Sequence, residues 1–228
     1  MTWGIIAALD AELKLITKAM EIENEQTIYG VRFYTGRIEK VKVAAVCCSI
    51  GTVNAAACAS VLVREFGAGA LVNIGVAGST CEELSVLDVV LSDEVAFHDA
   101  DVEIIKKYYP FRESFMADSK LIDLAEKSIA EMRGREFNYK VGRIATGDVF
   151  VSDPALKSDI VARIDPLCVE MEGAAIGQIA YMSGLPFLVI RSLSDDSGSG
   201  AHISFESFLE RAAQNSAGIV LKMLELYN

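Results

Sequence analysis

Apolar positions recur along this chain in two alternating rhythms. Short runs rich in β-branched residues, at 2–9, 31–34, 41–50, 70–74, 88–93, 95–102, 141–146, 166–171 and 187–193, read as strands, several of them continuously apolar as strands covered on both faces are. Between them lie helical patterns. Asp10 can cap a helix whose Leu13, Ile16 and Met20 share one face, a small-residue helix follows over 53–66, and a polar helix over 119–132. Ser152-Asp153-Pro154 is a helix start with proline at the first helical position, and the helix over 173–183 is stopped by Gly184 and Pro186. Past Ser197-Gly198-Ser199-Gly200, Ser204 is expected to cap a long helix with Phe205, Phe208, Leu209, Ala212, Ala213, Val220, Met223 and Leu224 on its apolar face. Gly75-Val76-Ala77-Gly78 reads as a glycine loop closing the run at 70–74. Strands alternating with helices predict an α/β fold, with a mostly parallel or mixed sheet covered on both faces.

Size and charge narrow the picture. The 228 residues, 52% of them hydrophobic, suit one domain with a full core, and no linker, repeat or low-complexity segment divides them. A net charge of -11 without any basic run disfavours nucleic acid and anionic membrane surfaces as partners. The five cysteines, Cys47, Cys48, Cys58, Cys81 and Cys168, lack C-x-x-C spacing and read as small core hydrophobes of a reducing compartment. Only His98 and His202 are available, so no metal site is expected. The N-terminus lacks the basic region of a signal peptide, and the apolar stretch at 67–81 is too short and Gly-rich to span a bilayer, so the expectation is a soluble cytoplasmic protein.

In open α/β sheets ligands sit beyond the carboxyl ends of the strands. Four segments are expected to converge there: 9–12, 75–78, Met171-Glu172 and Ser194-Asp195. Each has an ordinary structural explanation too. Glu12 in a first helical turn answers the helix dipole, Asp195 and Asp196 can form a turn, Met171 and Phe150 suit a core, and Gly75-x-x-Gly78 is a weak signal without the spacing of a phosphate loop. Glu172 is the more telling residue. A carboxylate at a strand end, directly before a Gly-Ala-Ala helix packed on the sheet, needs a partner, and Arg191 is the nearest candidate in sequence. Acids at the mouths of two successive strands of an apolar core can be held in different protonation states.

These segments, taken in order, carry a resemblance. Gly4-Ile5-Ile6-Ala7-Ala8 with Glu12, Ser49-Ile50-Gly51, Asn73-Ile74-Gly75-Val76-Ala77-Gly78, His98-Asp99-Ala100-Asp101-Val102, Thr146-Gly147-Asp148-Val149-Phe150, Val169-Glu170-Met171-Glu172, Arg191-Ser192-Leu193-Ser194-Asp195 and His202-Ile203-Ser204-Phe205 together resemble the 5'-methylthioadenosine/S-adenosylhomocysteine nucleosidases of the purine nucleoside phosphorylase/hydrolase superfamily. The resemblance implies a three-layer fold, a twisted mixed sheet flanked by helices, and a homodimer in which the neighbouring subunit completes the 5' pocket. It implies hydrolysis of the N-glycosidic bond of a small nucleoside, with release of adenine and without a cofactor. Asp195 is then the acid at purine N7, oriented by Ser194, and Glu12 the base that activates water. Glu172 grips the ribose hydroxyls over Met171, and Arg191 orders the polar end of the site. Phe150 and the backbone of Val151 form the adenine platform, with Ile50, Val76, Val102 and Phe205 completing the substrate contacts.

Two comparisons within the superfamily refine this expectation. Phosphorolytic relatives carry an arginine near position 73, a serine or threonine near 76 and a Gly-Asp-Pro-x-Arg loop after the first strand; here stand Asn73, Val76 and Leu9-Asp10-Ala11-Glu12, so water is the expected nucleophile. After Val102 the nucleosidases continue into a loop of Gly-Gln-x-Pro character, whereas this chain has Glu103-Ile104-Ile105-Lys106-Lys107-Tyr108-Tyr109-Pro110. That departure leaves the 5' substituent open, with a futalosine-type nucleosidase as the alternative and, more remotely, a phosphorylase or a catalytically silent nucleoside-binding protein. A lysine of the loop could also favour a substrate carboxylate.

Overall fold

The computed structural model describes residues 1–198 and 200–227; Ser199, within the glycine-serine loop, lies outside them. The elements follow one another as β1 (Thr2–Ala7), α1 (Asp10–Ala19), β2 (Glu21–Ile28), β3 (Val31–Ile38), β4 (Val41–Cys47), α2 (Thr52–Arg64), β5 (Ala68–Ser79) and β6 (Val89–Phe97). Then come α3 (Val102–Ile105), β7 (Ser114–Met116), α4 (Ser119–Glu131), β8 (Tyr139–Thr146), α5 (Pro154–Ile164), β9 (Cys168–Glu170), α6 (Gly173–Ser183), β10 (Phe187–Asp195) and α7 (Ala201–Leu226).

All strands join one mixed sheet of order β10-β6-β8-β9-β5-β1-β4-β3-β2, with β7 on the side of β6. β10 also pairs with β5, so the sheet curls back on itself and closes a ring through β5, β10, β6, β8 and β9. β1, β4, β5 and β10 run parallel. Their carboxyl ends therefore open at one edge.

Alternating side chains feed two cores, one per face. Along β1, Ile6 packs on one face with Ala55, Cys58 and Leu62 of α2 and Ala174 and Ile176 of α6. Trp3, Ile5 and Ala7 point the other way, to Leu13 and Ile16 of α1, Leu121 and Ile129 of α4, and Ala217, Val220 and Leu224 of α7. The three-layer arrangement follows. Asp153 caps α5 as its sequence suggests, accepting the Ala155 N–H at 2.9 Å with Pro154 in the first turn, and Gly184 ends α6 with φ 65°.

Several boundaries differ from the sequence reading. β2 was not expected: its residues are exposed up to the half-buried Ile28, so no apolar alternation marks it. Pairing with β3 through the Tyr29-Gly30 turn, both residues at positive φ, and ion pairs Glu25 to Arg32 at 3.6 Å and Glu23 to Arg37 at 3.4 Å accompany it. The runs at 88–93 and 95–102 are one strand, in which a register shift between Ser92 and Glu94 absorbs the polar interruption. Position 102 instead opens the short helix α3. Leu9, not Asp10, precedes the first turn of α1, and α7 begins at Ala201 after Gly200 rather than at a Ser204 cap. Gly75 to Gly78 lie within β5, in extended chain.

Candidate active site

Two glycines of β5 are small for the sake of their neighbours. A Cβ on Gly75 would collide with the Arg191 guanidinium and stand 2.8 Å from Glu12 Oε1; one on Gly78 would collide with Ser197 Oγ and stand 2.7 Å from Asp195 Oδ1. The strand is bare there because polar side chains from α1 and β10 cross it. They cross it beneath a cavity that the carboxyl ends of β1, β5 and β10 and the start of α6 enclose.

Glu12 reaches this cavity from the first turn of α1 and is fully buried. Its Oε2 accepts the backbone N–H groups of Ala8 and Leu9, each at 2.9 Å, and its Oε1 accepts that of Val76 at 3.0 Å. Burial raises its pKa, while Arg191 and the three backbone donors favour the ionised form and oppose that rise. A side chain that merely answered the helix dipole would face solvent.

Arg191, in the middle of β10, is the buried hub. Its Nη2 donates to Glu170, to Asn73 Oδ1 and, at 3.3 Å, to Glu172 Oε2, while Nη1 reaches the Val76 carbonyl at 3.4 Å. The partner expected for Glu172 is thus present, but the tighter ion pair is with Glu170, a residue the sequence reading quoted without assigning it a role. Glu170 also accepts the Thr146 hydroxyl and the N–H groups of Glu172 at 3.0 Å and Gly173 at 2.8 Å, so it fastens the start of α6 to the arginine. A signal was available: a second acid in a short apolar strand needs its own compensation.

Glu172 turns its Oε1 to the Gly51 N–H at 2.9 Å. Burial pushes its pKa up, Arg191 pulls it down and Glu170 pushes it up again, leaving it at about 7. Asp195 ends β10 at a register shift after Leu193, a bulge that re-aims the chain beside Gly78. Its Oδ2 accepts the Ser194 hydroxyl at 2.9 Å and its Oδ1 the Ser197 N–H at 2.8 Å. Burial raises this carboxyl too, and those two donors pull it part of the way back. Asp196 is exposed and accepts the Gly198 N–H at 3.0 Å, a turn-forming role.

The apolar wall comes from Phe150, Val151, Met171, Val76 and Phe205, with Ile50 and Val149 at the rim. Phe150 stacks on His202 at 4.4 Å and meets Phe205 edge to face at 5.8 Å. Its loop is tied down through Asp148, which accepts the Thr52 N–H at 2.7 Å and its hydroxyl at 2.6 Å, and whose own N–H donates to Asp99 at 2.8 Å. Of the expected contacts, Ile50, Val76, Phe150, Val151, Met171, Glu172, Arg191, Ser194 and Phe205 border the cavity together with Glu12 and Asp195. Val102 does not; it belongs to α3 and is not among the residues that border the cavity. Lys106 of the unusual loop is engaged by Glu113 at 2.6 Å and Glu103 at 3.9 Å. Among the described residues no group of three or more His, Cys, Asp or Glu could hold a metal ion, and no helix is long and apolar enough to cross a membrane.

Residues 2–225 match the phosphorylase superfamily. A 5'-methylthioadenosine/S-adenosylhomocysteine nucleosidase of Geobacillus thermodenitrificans (strain NG80-2) is 39% identical over 98% of this chain and 96% of its own length. The chain belongs to this nucleosidase family of the phosphorylase superfamily. In solved structures the same architecture recurs in the Colwellia psychrerythraea 34H nucleosidase in complex with adenine, with TM-score 0.94 and 34% identity over 99% of this chain and 95% of that one. It also recurs in a futalosine hydrolase of Helicobacter pylori strain 26695, with TM-score 0.90 and 27% identity over 99% and 97% of the two chains. The nucleoside phosphorylase/hydrolase fold and the family expected from the motifs are thereby established.

Proposed function

We propose that this nucleosidase hydrolyses the N-glycosidic bond of 5'-methylthioadenosine and S-adenosylhomocysteine, releasing adenine, with Asp195 as the general acid and Glu12 as the general base. What carries this reading is the convergence of three buried carboxyl groups, Glu12, Glu172 and Asp195, on one cavity beside an aromatic platform. Cleavage of the C1'–N9 bond leaves electrons on the purine and positive charge on the sugar. Asp195, kept protonated more readily by burial, gives its proton to N7 and neutralises the leaving purine. Glu172 accepts from the ribose hydroxyls, with Met171 beneath the sugar. Glu12, whose ionised form is held by three backbone donors, takes a proton from the water that attacks C1'. Phe150 stacks on the base, and the Val151 backbone reads its edge.

Water is favoured over phosphate by the state of the cations. The Arg191 guanidinium is already neutralised by Glu170 and Glu172, and these carboxylates, with Glu12 beside them, disfavour an incoming oxyanion. Adenine and free sugar should therefore appear at the same rate with and without inorganic phosphate. Formation of a sugar 1-phosphate would overturn hydrolysis, and release of hypoxanthine from a futalosine-type substrate in preference to adenine would favour the alternative.

A homodimer belongs to the same proposal. Ile50 and Val149 at the cavity rim are about half exposed, and Val53, Tyr108, Tyr109, Phe111 and Met116 are exposed apolar side chains. α2 and β7, which carry Val53 and Met116, both pack against α6, and a second copy covering them would bring its own Val102 loop to the 5' end of the substrate. Sedimentation of the Val53→Glu variant tests it: the parent should be a dimer and the variant a monomer with a raised KM. A cytoplasmic location goes with this reading, for which the five free cysteines speak.

A further inference from the structure

Ser197 stands two residues beyond the end of β10 with φ 54°, in the left-handed region that favours glycine. Its hydroxyl is enclosed and has no hydrogen-bond partner among the described residues, and the residue borders the same cavity as Asp195. Both features are unfavourable, and glycine at this position would remove both. The hydroxyl stands next to the acid: Ser197 Oγ and Asp195 Oδ1 share the space over the bare Gly78, and the Ser197 N–H already donates to Oδ1 at 2.8 Å.

We propose that Ser197 is a positioning residue for bond cleavage, its hydroxyl turning to donate to Asp195 Oδ1 when that carboxyl has handed its proton to the purine. The inference rests on Asp195 being the acid. In that step the Asp195 O–H bond breaks and the proton bonds to N7, while the electron pair of the C1'–N9 bond passes into the purine. A carboxylate remains in a buried place. The neutral acid is satisfied by the Ser194 hydroxyl and the Ser197 N–H; the anion has room for a third donor, and the unpartnered Ser197 hydroxyl supplies it as the charge develops. A donor held in reserve for the charged state assists the transition state more than the ground state. The titratable groups facing Asp195 are Asp196 of the same loop, Lys157 of α5 and Cys168 of β9, and all of them stay in place when residue 197 is changed.

The test is the pH dependence of adenine release from 5'-methylthioadenosine by Ser197→Ala and Ser197→Gly. Both variants should lose roughly fivefold or more in kcat, and the alkaline limb of kcat/KM, which reports the acid in its protonated form, should move up by about half a pH unit or more. Ser197→Gly, freed of the positive-φ strain, should melt no lower than the parent, which separates the loss from unfolding. Parental kcat and an unmoved alkaline limb in both variants would overturn the inference. Asp195→Asn distinguishes its failure from that of the reading beneath it. If Asp195→Asn turns over like the parent, the acid is misassigned and the inference falls with it; if it is inactive while both Ser197 variants keep the parental profile, the inference alone fails.

Discussion

Asp195 and Asp196 are chemically alike and adjacent, and their surroundings set them apart. Asp195 is buried under Ser194 and Ser197, whereas Asp196 sits in solvent holding a turn. Asp195→Asn should lower kcat at least 10²-fold, about 3 kcal/mol of transition-state stabilisation, because an amide cannot protonate N7. Asp196→Asn should leave kcat within a factor of two. Steady-state kinetics of the pair decides between them, and the reverse outcome would move the acid to position 196. Glu170 contributes differently. It neutralises Arg191 and anchors the start of α6, so Glu170→Ala leaves a buried guanidinium short of its main counter-charge and should cost roughly 3–5 kcal/mol in denaturant unfolding. Glu172 was legible in the sequence as an acid in a small-residue context at a strand end, whereas Glu12 and Asp195 had ordinary readings as a helix-dipole acid and a turn former and were singled out by the resemblance. The division of labour between Glu170 and Glu172 was not legible, since they are two residues apart in one motif and only the packed structure shows which faces the arginine and which the cavity.

Elements were legible where their burial is periodic. The helices at 119–131 and 173–183 and the apolar strands carry their signals in every turn or pair of residues, whereas β2 is held by main-chain pairing and surface ion pairs that leave no apolar pattern to read. Gly75 and Gly78 misled for a related reason: their smallness reflects side chains arriving from residues far off in sequence rather than a local turn. A consequence can be measured. Gly75→Ala must displace Arg191 and crowd Glu12, and Gly78→Ala must displace Ser197 and crowd Asp195, so each should lose more than about tenfold in kcat/KM. Gly218→Ala is the control, for a Cβ there meets only Met132 Cε at 3.6 Å inside α7. It should keep full activity and gain up to about 1 kcal/mol in stability from helix propensity. Equal kinetics for all three variants would mean that the crowding over β5 is relieved without touching the site.

The assembled molecule keeps its acids buried at a cost that depends on pH. In the folded state Glu12, Glu172 and Asp195 all have pKa values raised by burial, so they hold protons at a pH where the unfolded chain has released them. The sign follows from linkage: the folded state is favoured in full below the unfolded values, and that contribution is lost as pH rises through the folded ones. For Glu172 the window runs from its ordinary value of 4.5 to about 7, and at about 1.4 kcal/mol per unit the loss across it is about 3 kcal/mol. The whole chain carries a net charge of -11, so self-repulsion also changes over the same range, and a pH scan of the parent alone mixes the two effects. Comparison with Glu172→Gln removes the shared part. The amide keeps the shape of the side chain and its contact with Gly51 while abolishing the titration, and Arg191 retains Glu170 as its counter-charge. Between pH 5 and pH 8 the parent should therefore lose more unfolding free energy than Glu172→Gln, by an amount approaching 3 kcal/mol in urea titrations at constant ionic strength. Parallel pH dependences for the two proteins would place the Glu172 carboxyl back in its ordinary range.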